Sequence, residues 1–364
     1  METMEITKLF GGVYKNKVCL ITGHTGFKGS WLAYWLNQMG AKVIGFSLEP
    51  ELSINHFDLL DKSYTSVIGD IRDYSQVYKV FETYKPNIVF HLAAQALVRY
   101  SYNNPIETFD TNVIGTVNVF EASRHCDSVK AIINITSDKC YDNKEWIWGY
   151  RENDPMGGHD PYSASKGCAE LVTTSYQKSF FNQNSKLLAS GRAGNVIGGG
   201  DWAEDRLIPD IVRAASKGIS VKIRNPLATR PWQHVLEPLS GYLMLGRKLL
   251  DGDIKYANGW NFGPDLENNV SVKTIITKVE SVWSQVSYDI SEDKNNHHEA
   301  NLLMLDCSKA NKLLKWTPVW DLNETISKTI NWYKSFYEDN YIQTQNDLIS
   351  FINDAKSKSI IWTL

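Results

Sequence analysis

KVCLITGHTGFKGSWLAYWLNQMG, residues 17–40, decides the fold. Lys17–Thr22 is a compact apolar run of strand length that stops at a glycine. From Phe27 the apolar residues Phe27, Trp31, Leu32, Trp35, Leu36 and Met39 recur at helical spacing until Gly40 ends the pattern. Gly23, Gly26 and Gly29 fall between the two. Glycine lets a backbone turn tightly and come close to a pyrophosphate, whose charge then sits at the positive end of a helix. A glycine pattern alone is weak, because any strand-to-helix turn uses glycine. Here the context fits, with a strand before it, a helix after it and a second strand expected at Ala41–Ser47.

Working outward, strands are expected at 66–70, 87–94, 129–137 and 187–197, with helical stretches near 74–84, 105–124 and 162–182. Strands alternating with helices predict βαβ units and a parallel sheet covered on both faces. After about residue 198 the texture changes. A glycine-rich loop, GGGDW (198–202), precedes helical patterns near 205–218, 235–250 and 271–286 mixed with short strands, and 333–364 patterns as a terminal amphipathic helix. The expected division is 1–198 as a dinucleotide-binding domain and 199–364 as mainly a cap, with 234–250 and 301–316 packing back on the first domain.

Composition narrows the function. The 364 residues carry 38 Lys+Arg against 41 Asp+Glu, a formal charge of −3, which leaves no basic footprint for nucleic acid or an anionic membrane. With 43% hydrophobic and 22% charged residues the chain is an ordinary globule, not a disordered or fibrous one. Cys19, Cys126, Cys140, Cys168 and Cys307 show no metal-ligand spacing, so no metal site is expected. An odd number of cysteines, an acidic METMEITKLF start and no apolar run of spanning length together predict a cytoplasmic protein.

PYSASK (161–166) puts Tyr162 and Lys166 at i and i+4, on one helix face. A free phenol titrates near 10 and is a poor base at neutral pH. Lowering that by about three units takes roughly 4 kcal/mol of differential stabilisation, which a neighbouring ammonium favours. Asp160 as cap and Pro161 at the first helical position set Tyr162 in the first turn, near the positive helix end. The preceding strand ends ITSDKCY (135–141), and carboxyl ends of parallel strands are where reacting groups gather. Ser137, Asp138 and Lys139 should therefore face the same crevice. One hydroxyl serves a single proton relay, and two further ionisable side chains point to more than one proton transfer.

The GxxGxxG spacing resembles the extended branch of the short-chain dehydrogenase/reductases. HTGFKGSWL, SDKCY, PYSASKGCAE, GNVIGGGDWAEDRLIPD and RPWQHVLEPLSGYL look like the CDP-glucose 4,6-dehydratase family within it, over roughly residues 8–335. Where related sugar-nucleotide dehydratases carry Asp-Glu, this chain has Asp138-Lys139. The resemblance implies an α/β fold, a Rossmann-like doubly wound parallel sheet with a smaller α/β substrate-binding cap, and NAD as cofactor. It implies cofactor contacts at Gly23, Thr25, Gly26, Phe27, Gly29, Asp70, Ile71, Leu92, Ala93, Ala94, Tyr162 and Lys166. The implied substrate contacts are Gln95, Arg99, Asn195, Arg206, Arg230 and Asn261. Where relatives often have a further arginine, the chain has His297, His298 and Glu299.

The second strand ends Gly45-Phe46-Ser47, without the carboxylate that binds a ribose 2′-hydroxyl, and His24 and Lys28 are nearby candidates for a 2′-phosphate. The choice between NAD and NADP stays open at this point. The implied reaction converts CDP-glucose to its 4-keto-6-deoxy derivative, with Ser137, Asp138, Lys139, Tyr162 and Lys166 catalytic. Lys139 serves either as base at C5 or as a charge stabilising the enolate. The implied assembly is a homodimer through 105–124 and 162–182, or a larger homo-oligomer. A same-fold epimerase or reductase would need Ser137, Tyr162 and Lys166 only; a non-catalytic dinucleotide sensor would show an eroded Tyr/Lys pair, and here the pair is intact.

Overall fold

The computed structural model describes residues 5–181, 186–223, 225–265, 269–290 and 302–364. His297, His298 and Glu299 lie outside them. The opening segment forms strand β1 (Val18–Thr22), a turn, and helix α1 (Phe27–Gln38), followed by β2 (Lys42–Ser47). β3 (Thr65–Ile68), helix α2 (Tyr74–Tyr84), β4 (Ile88–His91), helix α3 (Gly115–His125), β5 (Ala131–Ile135), helix α4 (Pro161–Ser179) and β6 (Leu187–Ala193) continue the alternation. β7 (Gly259–Phe262) comes from the second half of the chain and pairs with β6. The sheet is parallel throughout, in the order β7-β6-β5-β4-β1-β2-β3. The order reverses between β1 and β4, so a crevice opens outside their carboxyl ends.

Period-two alternation builds both faces. Cys19 and Ile21 of β1, Phe90 of β4 and Ile133 of β5 pack into one core, while Leu20, Val89 and Ile132 face the other with Val77, Phe81, Val119 and Phe120. Residues 29–36 of α1 are buried all round, because the helix lies between the sheet and the end of the chain. Trp35 meets the Phe351 ring edge-on at 5.8 Å and Trp362 at 5.6 Å.

The expected single terminal helix is two. Helix α8 (Leu322–Asp339) and helix α9 (Thr344–Ser357) are separated at Asn340, whose φ of 53° is left-handed, and each buries an apolar stripe. Ten of the twelve tryptophans are buried, among them Trp31, Trp260, Trp316 and Trp332, so most of them fill the core. Between β6 and β7 lie helix α5 (Leu207–Ser216) and helix α6 (Leu236–Leu250), and helix α7 (Val272–Val282) follows β7. Among the described residues no helix is long and apolar enough to cross a membrane, and no cluster of three metal-ligating side chains occurs.

Candidate active site

A cleft of about 950 Å³ runs along the carboxyl ends of the strands. Its floor begins at the glycine turn. Gly23 has a φ of +77°, and a Cβ on it would lie 2.7 Å from the Ala93 backbone nitrogen. A Cβ on Gly29 would lie 2.0 Å from the Gly23 carbonyl, so the first turn of α1 can pack against the loop only through glycine. Gly26 caps α1 without a side chain, which leaves the first-turn amides untaken by a capping oxygen beside the cleft. The cradle suits an anion such as a dinucleotide pyrophosphate. Thr25, Phe27, Asp70, Ile71, Leu92, Ala93 and Ala94 line the same stretch, as expected of a cofactor groove.

At the other end the two segments expected to be catalytic meet. Asp160 caps α4, its Oδ1 accepting from the Ser163 amide at 2.9 Å, with Pro161 in the first turn. Tyr162 and Lys166 are both buried along the cleft. Burial pushes the Tyr162 phenol up to about 12, against a hydrogen bond with Ser137 and the charge of Arg206. Burial likewise pushes Lys166 down to about 8, with Cys140 and Glu170 acting in the opposite direction. The phenol is thus raised where a lowering was expected, and the cation that acts against the rise is Arg206.

After β5 the chain makes one 3₁₀ turn, Asp138–Cys140, capped by Ser137, which brings Ser137, Asp138 and Lys139 to the cleft wall. Ser137 Oγ donates to Asp138 Oδ1 at 3.0 Å. Oδ2 of Asp138 is buried without a hydrogen-bond partner. Burial raises the Asp138 pKa, opposed by Lys139, Ser137, Lys28 and Arg230. The carboxyl has room because position 194 is glycine: a Cβ there would lie 2.8 Å from Oδ2.

Of the expected substrate contacts, Gln95, Arg99, Asn195, Arg206 and Arg230 line the cleft. Gln95 spends its amide nitrogen on Thr108 Oγ1 and the Leu97 carbonyl. Arg206 pairs with Asp201 at 2.8 Å, and Arg99 lies 3.9 Å from Asp205. Asn261 is the exception. It is fully buried and does not line the cleft; its side chain accepts from Tyr141 Oη at 2.7 Å and donates to the Tyr150 carbonyl at 2.8 Å. The structure gives it a scaffolding place in β7 instead of a substrate contact.

His24 is also corrected. It is buried, its Nε2 meets Ser66 Oγ at 2.7 Å, burial lowers its pKa to about 4, and it does not line the cleft, so it is a neutral ring behind the glycine turn. Lys28 does line the cleft, half-buried and pushed down to about 8 by desolvation, with Arg206, Asp138 and Lys166 as its charged neighbours. Its place is therefore at the reacting end. The signal was its position inside the glycine motif itself. Asp201, which orients Arg206, sits in the GGGDW loop, where glycines mask a lone carboxylate.

Residues 20–329 match the family model described as GDP-mannose 4,6 dehydratase. The CDP-glucose 4,6-dehydratase of Salmonella typhimurium is 50% identical over 349 residues, spanning 93% of this chain and 97% of that protein. The dTDP-glucose 4,6-dehydratase of Streptomyces antibioticus is 27% identical over 328 residues, 86% of this chain and 92% of that one. Among solved structures, the epimerase Mth375 of Methanothermobacter thermautotrophicus superposes with a TM-score of 0.79 at 23% identity, covering 92% of this chain and 96% of the other, which shows the shared fold. With the glycine cradle, the Tyr162–Lys166 pair and a family match across most of its length, the chain belongs to the GDP-mannose 4,6 dehydratase family.

Proposed function

We propose that the protein is a CDP-glucose 4,6-dehydratase, a hydro-lyase that removes water across C5 and C6 of the hexose to leave a 4-keto-6-deoxy sugar. One observation carries the reading: the Ser137–Asp138–Lys139 turn stands in one cleft with Tyr162 and Lys166, giving two more ionisable groups than a simple oxidation or epimerisation uses. The strong likeness to the Salmonella enzyme supports CDP-glucose as the substrate.

When bound, NAD supplies a reversible acceptor of hydrogen, so that oxidation at C4 and reduction at C6 leave the cofactor unchanged. Tyr162 takes the proton of the 4-hydroxyl, with Ser137 hydrogen-bonded to it as relay and the Arg206 charge favouring its anion. The 4-ketone acidifies the C5 hydrogen. Asp138, which burial keeps disposed to hold its proton, gives it to the departing 6-hydroxyl. Lys139 acts at C5, as base or as the charge that stabilises the enolate. Arg206 and Arg230 suit the substrate's diphosphate through charge-assisted bidentate bonds. Glu49 and Glu51 line the cleft just past β2 and would repel a 2′-phosphate, which favours NAD over NADP.

Ile106 is 85% exposed, Leu171 62% and Ile114 49%, an apolar face on the segments 105–125 and 161–179 that supports a homodimer. A cytoplasmic setting agrees with five free cysteines. The deciding test incubates the protein with NAD and, separately, CDP-, dTDP-, UDP- and GDP-glucose, and measures product mass. Loss of one water from CDP-glucose alone is expected. A product isomeric with its substrate would make the protein an epimerase.

A further inference from the structure

Behind the cleft wall lies a buried ion pair that none of the steps above uses. Arg192 Nη2 stands 2.8 Å from Glu170 Oε2, with the side chains 5% and 2% exposed. Taking two charges out of water costs about as much as their attraction returns, so such a pair is weak evidence for stability and its further partners decide what it does. Glu170 lies one turn past Lys166 on α4, and Arg192 lies in β6. Glu170 Oε1 accepts from Thr136 Oγ1 at 2.5 Å, and Oε2 accepts from Ser190 Oγ at 2.8 Å. Arg192 Nη1 donates to Tyr141 Oη at 2.7 Å and to the Glu152 carbonyl at 3.0 Å. Tyr141 in turn donates to Asn261 Oδ1. Gly259 of β7 leaves the space the guanidinium needs, since a Cβ there would lie 2.5 Å from Nη2.

Two of these partners bracket the reacting turn. Thr136 immediately precedes Ser137, and Tyr141 immediately follows Cys140. Within the turn the bonds are local: Ser137 to Asp138, and the Lys139 amide to Ser137 Oγ at 3.2 Å. Its ends are therefore tied to one carboxylate and one guanidinium that also fix α4 to β6. A neutral amide in place of Glu170 has one acceptor oxygen and could not receive Thr136, Ser190 and Arg192 together.

We propose that Glu170 and Arg192 are positioning residues for the Ser137–Asp138–Lys139 turn, holding Asp138 and Lys139 at the distance from Tyr162 that the elimination requires. This rests on the dehydratase reading. Reacting groups tolerate little displacement, a misplacement of about 1 Å costing on the order of 100-fold.

The test uses the full-length enzyme loaded with NAD and variants that loosen one tie without stranding a buried charge: Thr136→Val, Thr136→Ser and Tyr141→Phe. For each, the thermal midpoint, the number of NAD-binding sites, kcat per site, KM for CDP-glucose, and the ratio of solvent deuterium entering C5 to water lost are measured. We expect Thr136→Val and Tyr141→Phe to lower kcat about 10-fold or more with KM within about twofold, and to raise the exchange-to-elimination ratio. Thr136→Ser, which keeps the hydroxyl, restores kcat. A merely structural pair would lower the thermal midpoint and leave kcat per site and the exchange ratio unchanged, and that result overturns the proposal. The wild-type product separates the two ideas. An isomer, with no water lost, would refute the dehydratase reading, whereas a dehydrating wild type matched by its variants refutes only the positioning role.

Discussion

Asp138→Asn isolates the elimination from the oxidation that precedes it. Asp138 is 2% exposed, its Oδ1 is engaged by Ser137 at 3.0 Å, and its Oδ2 has no hydrogen-bond partner. Asparagine fills the same space, and its oxygen can still accept from Ser137, but its amide releases no proton to a leaving hydroxyl. Losing a positioned general acid costs about 10²–10⁴ in rate, which is roughly 3–5 kcal/mol of barrier. The oxidation should not suffer equally. The amide is neutral, as the protonated acid is, so it sets no charge against ionisation of Tyr162, which an ionised carboxylate at 138 would oppose. The variant, mixed with NAD and CDP-glucose, is therefore expected to accumulate reduced nicotinamide and a 4-keto sugar that keeps its 6-hydroxyl. Absorbance of the reduced cofactor and product mass read both. Water loss within tenfold of wild type, with no accumulation of reduced cofactor, would refute the assignment of Asp138 as the acid.

Other expectations follow from the same geometry. Gly29→Ala puts a Cβ 2.0 Å from the Gly23 carbonyl, backbone against backbone, so it should cost about 1–3 kcal/mol or more of stability and weaken NAD binding in a titration; near-wild-type affinity would contradict the cradle. Leu171→Glu with Ile106→Glu should yield a monomer in sedimentation, and an unchanged assembly would move the dimer face elsewhere.

Acid should destabilise the fold early. Burial holds His24 near 4 and His56, His91 and His234 near 3, against about 6.5 unfolded, so their contribution is present above 6.5 and is lost as pH falls. Glu237, raised to about 8, and Asp347, raised to about 7, work the other way: burial favours their protonated forms, whose contribution is full at low pH and lost as pH rises through those values. Near pH 5 the balance is an uptake of about two protons on unfolding, a loss of about 3 kcal/mol per pH unit. Urea midpoints that stayed flat from pH 6.5 to 5 would contradict it.

The turn at Gly23, the extent of α1 and the cap at Asp160 were legible because each is set by residues within a few positions of one another. Two elements came out differently for local reasons. The helix expected over 105–124 runs unbroken over 105–125 but widens at Asp110–Ile114 into a π turn, where Asn112 turns inward to hold both backbone groups of Gln95 and the hydroxyl of Ser165. The strand expected over 187–197 divides at Gly194, where the chain passes the Asp138 carboxyl. The Arg192–Glu170 pair and the burial of Asn261 were not legible. Each depends on partners brought together by the sheet, Asn261 on Tyr141 from 120 residues earlier, and a lone polar residue within a strand carries no periodic signal of its partner.

The central claim is that hydrogen removed from C4 of the hexose is returned to C6 of the same molecule. CDP-glucose carrying deuterium at C4 tests it directly, with the methyl group of the product read by mass spectrometry and NMR. The account predicts one deuterium in that methyl group and one water lost per substrate. Deuterium that stayed at C4, or that was absent from the methyl group of a dehydrated product, would contradict it.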